Sequence, residues 1–115
     1  FLAGKTILGF EYVQALQELE RLRAEWQQAV AGYDAVILPT SAILPPNIER
    51  LLADDDYYVS ENLLSVRNTK IGNLLGLSSL TLPTGVPSTG IMFFTPPFAE
   101  SRLLRIGAAA EAALA

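Results

Sequence analysis

Two residue types that carry much of enzyme chemistry are missing from this sequence: it has no cysteine and no histidine. Without cysteine there is no disulfide, no thiolate nucleophile and no zinc–thiolate site, which excludes a disulfide-stapled secreted scaffold. Without histidine, Ser-His-Asp and Cys-His arrangements cannot form within these residues, and neither can a histidine-based metal site. Basic residues are scarce too, with 8 Lys and Arg against 12 Asp and Glu, a net charge of −4. Binding to a phosphate backbone needs a basic face, so no nucleic-acid partner is expected. No apolar run is long enough to span a bilayer and no basic segment precedes one, so no membrane partner is expected either. The expected setting is cytoplasmic.

Charge of either sign is thin: 17% of the 115 residues are charged and 50% are hydrophobic. A chain of this length can bury a usable core as one domain. A small domain also has proportionally more surface to cover, and this composition supplies little polar material for it. Either the chain is an unusually apolar small domain, or it is a piece of a larger one whose remainder covers an apolar face. The second is expected. Methionine occurs once, at Met92, and the first residue is Phe1, which agrees with it.

One long helix is expected over 9–31, where Tyr12, Leu16, Leu19, Leu22, Trp26 and Ala29, with Tyr33 just beyond, recur at spacings of three and four as one stripe. Glu18/Arg21 and Glu20/Arg23 are spaced to pair weakly, and Gly32 is placed as the C-terminal cap. A continuous apolar run follows at 35–38 and stops at Pro39-Thr40, which suits a short strand buried on both faces of a parallel or mixed sheet. Residues 39–57 hold three prolines and then Asp54-Asp55-Asp56, an irregular connection with a turn or two of helix over 48–53. The aspartates invite a calcium reading, but an EF-hand loop needs alternating ligands, a central glycine and a distal glutamate. A solvated acidic loop is expected, with no metal and no cofactor.

Ser60 is a plausible N-cap for a helix over 60–75, ended by Gly76. Leu64, Ile71 and Leu75 form its buried stripe, and Asn68 falls on that stripe with Arg67 beside it. A buried amide must find partners. Asn68 and Asn73 either satisfy loop carbonyls, or Arg67, Asn68 and Thr69 border a ligand cavity. Strands are expected at 79–82, ended by Pro83-Thr84-Gly85, and at 90–94, bounded by Pro96-Pro97. A helix over 100–114 closes the chain, with Leu103, Ile106, Ala110 and Ala113 on one face and Gly107 beside them for a close backbone approach.

Ser78 and Ser79 are the most tempting nucleophiles left. A Ser-Lys device commonly sets the lysine one helical turn away. Lys70 instead precedes Ser78 by eight residues, across the helix stop at Gly76, and no glycine-rich oxyanion loop surrounds the serines. No carboxylate pair falls on an expected buried face.

The segments YDAVILPT, RNTKIGNLLGLSSLTLPTG, the STGIM turn and strand, and PPFAESRLLRIGAAAEAAL together resemble the C-terminal part of amidase-signature enzymes. There a long helix leads to a D-x-l-l-x-P-T strand, an N-x-x-G-L helix, a strand ending P-x-G, a second strand, and an alanine-rich helix. The match runs from about Gly9 to Leu114, and no single piece is specific; the ordered set is. Ser88-Thr89 depart from the family's proline and small apolar residue, and Ser78-Ser79 from its proline and alanine or glycine.

The resemblance implies an α/β fragment of the amidase-signature fold, with mixed β-sheet strands flanked by helices, and a parent protein that hydrolyses amides with a Ser-cis-Ser-Lys triad. That triad lies upstream in the family, and nothing here matches its glycine- and serine-rich segment, so no catalytic residue is carried over. Residues 1–115 are then the C-terminal part of an incomplete domain, supplying scaffold and pocket wall and inactive alone. Arg67, Asn68 and Thr69, with Thr40 and Ser41 of the loop to Leu44, are the pocket-wall candidates. The implied partners are a small-molecule amide substrate and the missing N-terminal portion of the same protein. Exposed apolar surface would also favour a homodimer. Two alternatives stay open: one subunit of a transamidase that works on misacylated tRNA, and a non-catalytic module associating through the Tyr12–Tyr33 stripe.

Overall fold

The computed structural model describes residues 2–114, in two compact units divided between Gly32 and Tyr33. In the first, a 3₁₀ turn, Leu2–Thr6, precedes α1, Gly9–Val30. The backbone N–H of Leu8 donates to Glu11 Oε2 (2.7 Å), satisfying a group that helix geometry leaves free. Both expected ion pairs form: Arg21 Nε donates to Glu18 Oε2 (2.8 Å), and Arg23 Nη1 to Glu20 Oε1 (2.6 Å). Arg21 also reaches Glu25 one turn on. The helix ends at Ala31, whose φ of −57° is still right-handed, and Gly32 does not enter the left-handed region. Gly32 is thus not the left-handed cap its position suggested. None of the described α1 residues is buried, and Tyr12 is 60% exposed.

The second unit is built on a three-stranded sheet in the order β1-β3-β2, from β1 (Val36–Pro39), β2 (Ser78–Pro83) and β3 (Gly90–Thr95). Both pairings are antiparallel, with Val36 opposite Phe94 and Leu80 opposite Phe93. The short Pro83–Gly90 connection makes β2 and β3 a hairpin, the only geometry open to so short a link. Helices α2 (Ile48–Ala53), α3 (Asp55–Ser65), α4 (Arg67–Leu75) and α5 (Glu100–Leu114) complete the unit. The mixed α/β class is as expected.

Side chains of a strand alternate between faces. Leu80, Leu82, Ile91 and Phe93 meet Leu103, Ile106 and Ala110 of α5 on one face. Phe94 points to the other, against Gly72 of α4, where a Cβ would stand 2.8 Å from the ring. The strand buried on both faces is therefore β3, in which Met92 to Thr95 are all buried. The sequence suggested β1 for that role. As an edge strand outside the reach of α5, which packs on β2 and β3, β1 instead alternates, and its Ile37 is 58% exposed.

The helix expected over 60–75 is two helices. The first starts at Asp55, capped by Asp54, whose Oδ1 accepts from the Tyr57 N–H (2.9 Å). Ser60 lies in its interior. The second begins after Val66, which takes φ −99° and ψ 1°. Hydroxyls flank this break: Ser65 donates to the Asn62 carbonyl (2.8 Å) and Thr69 to that of Val66 (3.0 Å). Such bonds compete with the helix ladder and bend it. Gly76 stops α4 as expected, with φ 69° in the left-handed region.

Candidate functional site

The end of β1, the start of α4 and the start of β3 converge. The β1–β3 ladder continues one residue past β1, with the Thr40 N–H donating to the Gly90 carbonyl (2.9 Å). At Gly90 a Cβ would lie 2.8 Å from Thr40 Oγ1 and 3.0 Å from Thr81 Cγ2. The absence of a side chain lets the two threonines approach, and Thr40 Oγ1 donates to Thr81 Oγ1 at 3.3 Å. From α4, the buried Asn68 donates through Nδ2 to the Pro39 carbonyl (2.8 Å), fixing the helix start to the strand end. Ser41 Oγ accepts from the Ile43 N–H at 3.4 Å and lies 3.5 Å from the Ser65 carbonyl, the outer limit of a hydrogen bond. The Ser41–Leu44 loop, the end of β1 and the starts of α4 and β3 line a cavity of about 710 Å³.

Four of the five pocket-wall candidates, Thr40, Ser41, Arg67 and Asn68, line this one cavity. Thr69 is not in the lining; its hydroxyl is turned back to Val66. The amide of Asn68 satisfies a backbone carbonyl, and the residue also lines the cavity. Sequence reasoning did not assign Thr81, Ser88, Thr89 and Gly90 to the wall. Their signal was indirect: pairing the 79–82 and 90–94 strands puts Thr81 and the end of the turn beside Thr40. Thr89 donates to the Val86 carbonyl (2.9 Å) and accepts from Thr84, closing the turn. Ser88, in the same turn, has φ 60°, a conformation that costs a residue with a Cβ about 1–2 kcal/mol.

Arg67 is the cavity's single ionisable lining residue, and its side chain is exposed. The serines near Lys70 in sequence lie elsewhere. Ser78 donates its hydroxyl to Glu100 Oε1 (2.9 Å), tying β2 to the first turn of α5, and Ser79 is exposed and outside the cavity. The triple aspartate is not a free loop but the cap and first turn of α3, where negative charge is favoured by the helix dipole. Among the described residues no group of three or more His, Cys, Asp or Glu could hold a metal ion. No helix among them is long and apolar enough to cross a membrane.

The family model described as Amidase matches residues 3–104. Among curated relatives, 2-amino-5-chloromuconic acid deaminase of Comamonas testosteroni is 31% identical over 113 residues, covering 95% of this chain and 24% of that protein. Fatty acid amide hydrolase of Oryza sativa subsp. indica is 31% identical over 108 residues, 88% of this chain and 17% of that protein. A glutamyl-tRNA(Gln) amidotransferase subunit of Dehalococcoides mccartyi is 30% identical over 108 residues, 90% of this chain and 21% of that protein. The chain thus spans no more than about a quarter of the length of these relatives. No solved structure matches it.

Proposed function

This chain belongs to the amidase family, and on that premise we propose that it is the C-terminal part of an amide-bond hydrolase, an incomplete domain whose lysine and two catalytic serines lie upstream. The observation that carries the reading is the convergence of Thr40, Ser41, Arg67 and Asn68, all inside the family match, on one cavity. These residues hold no nucleophile paired with a base. The guanidinium of Arg67 is the group placed to bind and orient a substrate, and Thr40, Ser41 and Asn68 shape the wall around it. The chain's share of the chemistry is a wall, held in place by the Asn68–Pro39 and Thr40–Gly90 bonds. The relatives' names favour amide and amine-releasing chemistry on a small molecule, acting with the N-terminal portion of the same protein.

A second reading comes from the relative named as part of a tRNA-dependent amidotransferase: the same wall would serve a transamidase that needs partner subunits. A third, self-association through α1, is favoured by the exposure of Tyr12, Leu16 and Leu22. Sequencing the coding region before Phe1 tests the main reading. A glycine- and serine-rich segment with two spaced serines, preceded by a lysine, is the expected result. A start codon directly before Phe1 would remove the hydrolase reading and leave the self-associating one.

A further inference from the structure

We propose that this cavity selects a carboxylate-bearing amide, and that Arg67 is the residue that recognises the carboxylate. The inference rests on the pocket-wall reading above and adds to it the chemistry of the ligand. In a chain of net charge −4, acidic side chains are the commoner neighbours, yet none lines this cavity. The ion pairs among the described residues are those of Arg21, Arg23 and Arg50. Arg67 therefore lines the cavity without a carboxylate partner among the described residues. A guanidinium offers its donors as a planar fork that matches the two oxygens of a carboxylate.

The rest of the polar lining suits the same ligand. Its polar side chains are hydroxyls and one amide, none of them anionic. The hydroxyls of Thr40 and Thr89 are already spent on Thr81 and Val86. That of Ser88 has no protein partner among the described residues, although its backbone is held at φ 60° on the cavity rim. A left-handed non-glycine residue persists only where its surroundings impose it, and such residues cluster at ligand clamps. Ser88 supplies a second donor to the bound anion, and Arg67 supplies the charge.

The test compares succinamate, which has one amide and one carboxylate, with the neutral diamide succinamide. Binding to the purified protein is followed by titration of the backbone amide signals of Arg67, Asn68, Thr89 and Gly90. Succinamate is expected to shift these signals and to bind about tenfold or more tightly than the diamide, the worth of one hydrogen bond to a charged group. Arg67→Gln should reduce it to the diamide's level with the thermal midpoint unchanged, and Arg67→Lys should keep most of the preference. Equal binding of the two probes at these residues, or a preference that survives Arg67→Gln, would overturn the carboxylate assignment and leave the cavity standing as a substrate wall. Shifts from neither probe would overturn both.

Discussion

The side-chain amide of Asn68 donates to the carbonyl of Pro39 at 2.8 Å across 29 residues of sequence, and both line the same cavity. An edge-strand carbonyl pointing away from its ladder needs a donor, and the helix supplies it. Asn68 is 8% exposed, so replacing it with leucine leaves that carbonyl unpartnered. Asn68→Leu is expected to cost about 1–3 kcal/mol of stability, measured by urea denaturation. A loss within about 0.5 kcal/mol, the range of ordinary surface changes, would show that water or another donor replaces the amide.

Gly107 of α5 receives the side chain of Leu80 from β2. A Cβ at 107 would overlap Leu80 Cδ2. Gly107→Ala should therefore destabilise by about 1–3 kcal/mol through overpacking, despite alanine's better helix propensity. The double variant with Leu80→Ala should be less destabilised than the sum of the two single changes. Additive losses would place the cost in the helix itself and not in the contact.

Thr95 ends β3 at 2% exposure, and its Oγ1 has no hydrogen-bond partner among the described residues. Thr95→Val keeps the shape and removes the orphaned hydroxyl. Since a buried unpaired hydroxyl costs about 1–3 kcal/mol, the variant should raise the urea midpoint. A lowered midpoint would mean that the hydroxyl has a partner in solution.

The ion pairs of α1 predict a small dependence on pH and salt. The hydrogen bond from Arg21 holds the Glu18 carboxyl below its ordinary value of 4.5. A depressed carboxylate gives its full stabilisation above that ordinary value and loses it as pH falls through the lowered one. Glu18→Gln should therefore flatten the acid limb of α1 helicity, read by circular dichroism at low salt. Added salt should shrink the difference, because both side chains are exposed to solvent.

Much of this fold was legible because local rules and tertiary packing agree. Gly76 stops α4 because it can take φ 69°, and the alanine-rich helix occupies Glu100–Leu114 as its stripe suggested. The break at Val66 was hidden, since the apolar stripe runs across it and only the hydroxyls of Ser65 and Thr69 mark it. Asp54 was read as part of an acidic loop, although an aspartate followed by two more in the first turn is also a helix start. The assignment of double-sided burial to β1 failed because the run at 35–38 carries no information on strand order. Gly107 was expected to admit a backbone and admits the Leu80 side chain instead. For the site, the polar residue on the α4 stripe was the useful signal. The hairpin wall was not, because Thr81 and Ser88 meet Thr40 and Asn68 only once the strands are paired.

If these residues form a binding wall, as proposed, the hydrolytic machinery lies outside them. Amide turnover by the purified 115-residue chain tests it most directly, with succinamate and a simple aromatic amide as substrates. Release of ammonia or amine is expected to be no faster than in buffer, for the chain and for Ser79→Ala alike. Turnover by the chain that Ser79→Ala abolishes would contradict it, by placing a working nucleophile on β2.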